Sequence, residues 1–202
     1  MLSLNPDTMS ERENYKMLIG SIIPRPVAVV TSLAKDGTLN IAPFSYFSIV
    51  TSNPPIISLS IQRQNGQMKD TAHHIVTSKE AVVHIAEESY IKDINQTATR
   101  CSSDESELSL TNFTLNQAKS ISVPMLSELQ IKMEVTLYQH IEIKDDHQVT
   151  ADLLLLSINY YHIDDTLYDH GRIDFKKLHP MSRLAGSDYA KIGEVITIER
   201  PV

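Results

Sequence analysis

The chain has 202 residues, of which 42% are hydrophobic and 21% charged, a composition typical of a globular domain. A total of 18 Lys and Arg against 25 Asp and Glu gives a net charge of −7, and no basic stripe typical of nucleic-acid binding is visible. No apolar run approaches the roughly 20 residues of a membrane span. A single cysteine excludes an intrachain disulfide, so we expect a reducing compartment, the cytoplasm. We expect one domain over residues 1–202, with its core over about 12–195.

The first part of the chain predicts a short helix followed by an antiparallel meander. Apolar residues within 1–20 have helical spacing, and residues 27–32 are rich in β-branched side chains. An Asp-Gly pair in residues 35–38 predicts a hairpin turn, from which residues 39–49 return as a second strand. A third strand is predicted over residues 56–62.

The second part alternates helices with longer strands. Helices are predicted from residue 69 to about 77 and over 88–99, with a strand over 81–86 between them. Long strands are predicted over 131–144 and 149–163, and the apolar run inside the second suggests burial on both faces. Strands outnumber helices, so a mainly β fold, a closed barrel with peripheral helices, is favoured over a parallel α/β sheet.

Two further features concern the end of the chain and its glycines. Residues 164–190 read as irregular or short-helical, and residues 195–198 are predicted to close the sheet with a last strand. The 6 glycines have none of the spacings of dinucleotide or phosphate loops, so any nucleotide must be held by another architecture.

Polar and cationic residues at the predicted start of a helix suggest an anion site. Lys69, Asp70 and Thr71 combine a cation, a hydroxyl and free helix amides, which is what a phosphate group needs. The alternative is a surface helix capped by Asp70 or Thr71. Arg25, between two prolines, and Arg63, after a strand, could add cationic donors or be ordinary surface arginines.

Residues 40–47 form an unusual strand because Pro43 removes one ladder donor. A strand interrupted in this way leaves backbone groups free to bind the polar edge of a flat heteroaromatic ring. Phe44 and Phe47 could then form an apolar wall behind the ring. The alternative is a bulged core strand with no ligand.

Histidines and acids give weaker signals. No histidine pair has metal-ligand spacing, and we predict no metal site. His170 or His179, in the late irregular region, could assist a proton or a carbonyl oxygen.

The segment from Pro24 to Phe47 resembles the flavin reductase-like, FMN-binding split-barrel family, which includes flavoredoxin-type relatives. The resemblance rests on a linked series of motifs covering about residues 12–195: Pro24-Arg25-Pro26, Asn40-Ile41-Ala42-Pro43-Phe44-Ser45-Tyr46-Phe47, Asn53-Pro54-Pro55, Ser60-Ile61, Lys69-Asp70-Thr71 and Met181-Ser182-Arg183-Leu184-Ala185-Gly186 with Tyr189.

The resemblance implies a six-stranded antiparallel split barrel with peripheral helices, and a homodimer with FMN at the subunit interface. It also implies that the chemistry is centred on the flavin, with NAD(P)H as electron donor. The residues that the motifs assign to cofactor binding are Arg25, Asn40, Ile41, Ala42, Pro43, Phe44, Ser45, Ser60, Ile61, Arg63, Lys69, Asp70, Thr71, Arg183 and Tyr189.

Three functions follow as hypotheses. The first is an NAD(P)H-dependent oxidoreductase that reduces flavin (FMN) or another small acceptor. The second is a non-enzymatic FMN electron carrier that serves a protein partner. The third is a flavin-free binding module that has kept the barrel, against which the intact motifs argue. In none of the three do we expect a nucleic-acid or membrane partner.

Overall fold

The computed structural model describes residues 1–146 and 148–201, and antiparallel strands dominate it. In chain order the helices and strands are α1 (Glu11–Ser21), β1 (Arg25–Pro26), β2 (Ala28–Leu33), β3 (Leu39–Phe44), β4 (Phe47–Ser52), β5 (Pro55–Gln62), α2 (Asp70–Ser78), β6 (Glu80–Ile85), α3 (Ile91–Gln96), β7 (Leu115–Asn116), β8 (Met125–Leu126), β9 (Ile131–Asp145), β10 (Gln148–Ile163), β11 (Tyr168–Asp169), β12 (Arg172–Ile173), α4 (Phe175–Leu178), β13 (Met181–Arg183) and β14 (Tyr189–Lys191). Short 3-10 turns span Pro6–Thr8, Glu88–Tyr90 and Glu107–Leu110. None of the helices in these two ranges is long and apolar enough to cross a membrane.

The main sheet of the described residues has seven strands in the order β3-β2-β6-β9-β10-β5-β4, and every pair is antiparallel. A smaller sheet, β1-β13-β14, brings the late part of the chain beside its beginning. The predicted mainly β class is confirmed, with one strand more than the six expected.

The extra strand arises where the chain leaves one edge of the sheet for the other. The prediction of a continuous strand over 39–49 is wrong, because β3 ends at Phe44 and β4 begins at Phe47 on the opposite edge. Only Ser45 and Tyr46 make the crossing, and the amide of Ser60 on β5 donates to the carbonyl of Tyr46 at 2.9 Å. This bond continues the β5–β4 ladder to Tyr46, and the two-residue link from β3 brings the opposite edge beside it, so the sheet curls into a barrel.

The predicted turn between β2 and β3 is confirmed. Gly37 has φ +91°, a conformation that glycine adopts without a steric penalty. Asp36 accepts a hydrogen bond from the amide of Thr38 at 3.0 Å, and the Ala34 amide donates to the Thr38 carbonyl at 2.9 Å. This turn sets the register that pairs Thr31 with Ile41.

Aliphatic side chains from the strands and from α2 fill the barrel. The cluster includes Leu59, Ile75 and Val135, all with 0% exposure. On β10, Leu154 and Leu156 are fully buried, whereas the alternate side chains of that run are only half-buried. Burial on both faces of β10 was therefore wrong, because only one face of this strand lines the core.

The end of the chain departs from the prediction. The last strand is β14, and residues 195–198 form no strand. Val195 is 55% exposed and Ile198 82% exposed, so these apolar side chains bury little surface against the described residues.

A fully buried histidine joins three strands of the described fold. His84 on β6 lies beside the carbonyl of Val29 on β2, with Nδ1 at 2.9 Å, and its Nε2 accepts from the amide of Leu126 at 2.9 Å. A neutral ring with its proton on Nδ1 satisfies both bonds. Burial, as the main cause, lowers the pKa of His84 to about 3.

We expect His84 to make folding stability depend on pH. The unfolded chain protonates this histidine near pH 6.5 but the folded chain only near pH 3, so its stabilising effect is complete above pH 6.5 and is lost as the pH falls toward 3. When the pH is lowered from 7.5 to 5.5, the free energy of unfolding, measured by urea denaturation, should fall by roughly 1 kcal/mol more in the wild type than in His84→Gln. His73→Gln, at an exposed position on α2, is the control and should keep the wild-type dependence. Equal pH slopes for wild type and His84→Gln would contradict the neutral, buried assignment.

Candidate functional site

Two adjoining cavities lie beside the crossing between β3 and β4. The first, here called the Tyr46 cavity, has a volume of about 300 Å³ and is lined by α1, β1, β3, β5 and the loop between β13 and β14. The second, the Arg100 cavity, has a volume of about 540 Å³ and is lined by β3, the start of α2 and the segment after α3. They share the walls formed by Pro43, Phe44, Lys69 and Ala98. Together they make one extended site along the outer edge of β3.

The start of α2 presents free cationic and amide donors to the Arg100 cavity. Lys69 is the N-cap residue of α2 and makes no side-chain cap, so the predicted capping by Asp70 or Thr71 is wrong. The Thr71 hydroxyl accepts a hydrogen bond from Asn40 at 2.8 Å. This bond connects the helix start to β3.

Two like charges meet in this cavity. Desolvation by the cavity walls, and then the positive charge of Arg100, lower the pKa of Lys69. Within the described part of the chain, neither cation has a carboxylate within ion-pair distance. With its amide oxygen turned toward Arg100, Gln64 accepts from both guanidinium Nη atoms at 2.9 and 3.1 Å. An anion placed between Lys69 and Arg100 would relieve their repulsion.

A buried carboxylate positions β3. Glu107 accepts a hydrogen bond from the amide of Ile41 at 2.8 Å, and burial raises the pKa of Glu107. Since backbone groups in an antiparallel strand point alternately to the two sides, the outward amides of β3 fall at odd positions. The next odd position after Ile41 is Pro43, which has no N–H. A second strand therefore cannot form a regular hydrogen-bonded ladder with the outer edge of β3.

The Tyr46 cavity contains cationic side chains that are held in place by backbone carbonyls. Arg25 donates to the carbonyl of Ile19 at 2.9 Å, to that of Leu184 at 2.8 Å and also to that of Ile22. It thereby joins the end of α1 to the loop after β13.

The second arginine of this cavity, Arg183, lies with its guanidinium 4.4 Å from the ring centre of Tyr189. It also donates to the carbonyl of Gly186 at 2.6 Å. Both contacts orient Arg183 without neutralising its charge.

Most of the sequence-predicted cofactor residues line one of these cavities or both. Those that do are Arg25, Asn40, Ala42, Pro43, Phe44, Ser45, Ser60, Lys69, Asp70, Thr71, Arg183 and Tyr189.

Three predicted residues lie elsewhere. Ile41 and Ile61 are buried in the hydrophobic core with 0% and 1% exposure, and neither lines a wall of the two cavities. Arg63 binds the buried Asp152 through two hydrogen bonds of 2.9 and 2.8 Å, and it also binds Glu142 at 3.0 Å. Its guanidinium is thus occupied by carboxylates and faces neither cavity.

The two candidate histidines are not at the site. His170 lies in the exposed turn between β11 and β12, beside Asp169, and His179 follows α4 beside a separate cavity that also contains Glu88 and Phe175. Both residues have positive φ angles, 46° and 47°, so they serve as turn residues. Among the described residues, no cluster of three or more His, Cys, Asp or Glu side chains could hold a metal ion.

Sequence reasoning missed several site residues. Tyr15 on α1, Tyr46 at the crossing, and Arg100 and Glu107 after α3 all line the cavities. Arg100 and Glu107 come from a polar, loop-like stretch with no periodic pattern, so no local signal could assign them. Tyr46 belonged to the unusual strand segment, but its position at a crossing was not foreseen.

The chain is similar to known proteins both in sequence and in structure. Residues 19–174 match the family model of the flavin reductase like domain. The uncharacterized protein YwrF of Bacillus subtilis (strain 168) is 43% identical over 204 residues, covering 100% of both chains. The crystal structure of nitrilotriacetate monooxygenase component B from Bacillus cereus is 47% identical, covers 98% of both chains and has a TM-score of 0.96.

A more distant structure confirms the architecture. A protein of Shewanella frigidimarina NCIMB 400 described as having a split barrel domain is 17% identical, covers 96% of both chains and has a TM-score of 0.85. At this identity the likeness concerns the fold alone. The split barrel expected from the sequence is therefore confirmed.

Proposed function

Because this chain belongs to the flavin reductase-like domain family, we propose that it binds FMN and uses NAD(P)H to reduce flavin or another small acceptor. The single observation that carries the FMN proposal is a pair of cations in one cavity: Lys69 at the uncapped start of α2 and Arg100 after α3, neither of which has a carboxylate within ion-pair distance in the described part of the chain. A helix start with free amides and adjacent cations is a favourable place for a phosphate dianion.

The residues of the site fit the parts of FMN in order. Lys69, Arg100 and Thr71 would hold the phosphate, since they supply charge and hydrogen-bond donors at one end of the extended site. The outer edge of β3, from Ala42 to Ser45, would hold the polar edge of the ring system, with Phe44 as an apolar wall in both cavities. No other strand of the described residues pairs with this edge, so its backbone carbonyls remain free.

When bound, FMN supplies the hydride chemistry, accepting electrons from the pyridine nucleotide and passing them on. The chain contributes binding and orientation, which agrees with the two cavities, where no nucleophile and base are in hydrogen-bond contact among the residues that the structure describes. The relative named as a monooxygenase component supports a role in which the electrons pass to another component. We also propose the cytoplasm as the location, on the ground of the single cysteine.

The phosphate assignment predicts a selective loss of affinity in Lys69→Ala. Loss of a charge-assisted hydrogen bond of about 1.5–3 kcal/mol should weaken FMN binding at least tenfold. Riboflavin, which lacks the phosphate, should bind wild type and variant alike in the same fluorescence titration. Lys79→Ala, at the other end of α2, is the control and should bind FMN as the wild type does. Equal loss for FMN and riboflavin would refute the phosphate role.

An anaerobic titration tests the activity itself. We expect NADH or NADPH to bleach the visible absorbance of the FMN-loaded protein faster than that of free FMN at equal concentration. Bound flavin that stays oxidised with both nucleotides would instead support an electron carrier with a protein partner. A chain that binds no FMN would overturn both.

We further propose that two copies of the chain associate. The β4 strand exposes 80% of Ile49 and 49% of Val50, beside a cavity of about 640 Å³ lined mainly by aliphatic side chains. An exposed apolar patch of this kind at a sheet edge is a typical association surface.

In light scattering we expect the wild type at twice the mass of one chain. Ile49→Glu should shift the population toward single chains, because it places a charge in the patch. Ile143→Glu, which replaces an exposed residue outside that cavity, should not. A wild type of single-chain mass at micromolar concentration would contradict the proposal.

A further inference from the structure

The Tyr46 cavity is positively charged in a chain that is negative overall. The net charge of the chain is −7, yet Arg25, Lys69 and Arg183 line this cavity and no Asp or Glu does so among the described residues. If Lys69 binds the phosphate of FMN, Arg25 and Arg183 remain, and neither forms an ion pair with a carboxylate in the described ranges. A cavity lined by positive charges and by no carboxylate of the described residues favours an anionic ligand.

Two buried polar atoms of this cavity lack hydrogen-bond partners. Within residues 1–146 and 148–201, the unpartnered buried side-chain atoms are Nε of Arg25 and the hydroxyl of Tyr46. Both residues line the Tyr46 cavity. Buried polar groups are nearly always paired, so two orphans in one cavity indicate a ligand group that pairs with them.

Both orphan atoms act as donors toward the same kind of group. The Nε of Arg25 can only donate, and its Nη atoms already bind backbone carbonyls. Burial raises the pKa of Tyr46, so its hydroxyl keeps the proton that it can donate. The matching ligand group is therefore an oxygen acceptor, and the charge of Arg25 favours a carboxylate.

The walls of the cavity select a flat ligand. Tyr15, Phe44 and Tyr189 line it, and Arg183 covers the face of Tyr189 at 4.4 Å. Aromatic and guanidinium planes stack well on a planar ring. A cavity of about 300 Å³ is at the lower end of the range for small-molecule sites.

We propose that the Tyr46 cavity binds an aromatic carboxylate beside the flavin, its carboxylate oxygens accepting from Arg25 Nε and Tyr46 Oη. This deepens the proposed function by assigning the class of small acceptor, and it rests on that function for the presence of the flavin. The carboxylate only anchors the ligand and is not itself changed. An acceptor of this class takes up the two electrons of the reduced flavin, together with two protons, at a separate reducible substituent of the ring, which the probe benzoate lacks.

The test is a titration of the FMN-loaded protein with benzoate, in which binding is measured by calorimetry and by the change in absorbance of the bound flavin. FMN loading is measured first, so a chain that fails to bind FMN refutes the proposed function separately. Calorimetry of the flavin-free chain with benzoate then still tests the cavity. We expect benzoate to bind without displacing FMN, and benzamide, the neutral analogue, to bind at least about tenfold more weakly.

Tyr46→Phe is the informative variant because it removes only the hydroxyl. We expect about fivefold to tenfold weaker benzoate binding with unchanged FMN affinity. Tyr138→Phe, at a 61% exposed position on β9, is the matched control. Arg25 is left intact because its Nη atoms hold the end of α1.

Three results would overturn the proposal. Displacement of FMN by benzoate would assign the two orphan donors to the flavin itself. Equal affinity of the wild type for benzoate and benzamide would show that charge plays no role in binding. This comparison needs no variant. Competition by ADP with the same dependence on Tyr46 would assign the cavity to a diphosphate.

Discussion

The site depends on the way the chain closes its sheet with only two residues. Ser45 and Tyr46 carry the backbone from β3, at one edge, to β4, at the other, while β5 holds Tyr46 through a 2.9 Å hydrogen bond. The edges are brought close but cannot form a ladder, since Glu107 occupies one outward amide of β3 and Pro43 lacks the next. The opening left between the edges is the extended site.

Long-range polar contacts hold the surroundings of this opening. Arg25 connects α1 to the loop after β13, a separation of 159 residues between Arg25 and Leu184. Asn40 connects β3 to the start of α2 through Thr71. His84 joins β2, β6 and β8. Each of these contacts joins segments that are far apart in the sequence.

Much of this could be predicted from local pattern. Period-two alternation, the Asp36-Gly37 pair and the helical run after Lys69 are properties of neighbouring residues, and all three correspond to observed elements. The prediction of one strand over 39–49 was wrong because a change of pairing partner does not alter the alternation of apolar and polar residues. The assignment of Arg63 to the cofactor site was wrong because its partner, Asp152, is 89 residues away in the sequence. An arginine that follows a strand can equally form an ion pair or bind a ligand.

The uncapped start of α2 and the unpaired donors of the Tyr46 cavity also affect how long the chain survives. A folded state that leaves polar groups unpaired is stabilised by any ligand that pairs them, by an amount that grows with ligand concentration. Protein turnover in cells follows the unfolded fraction, which such binding lowers. If the ligands proposed above occupy these sites, the abundance of this chain follows their supply.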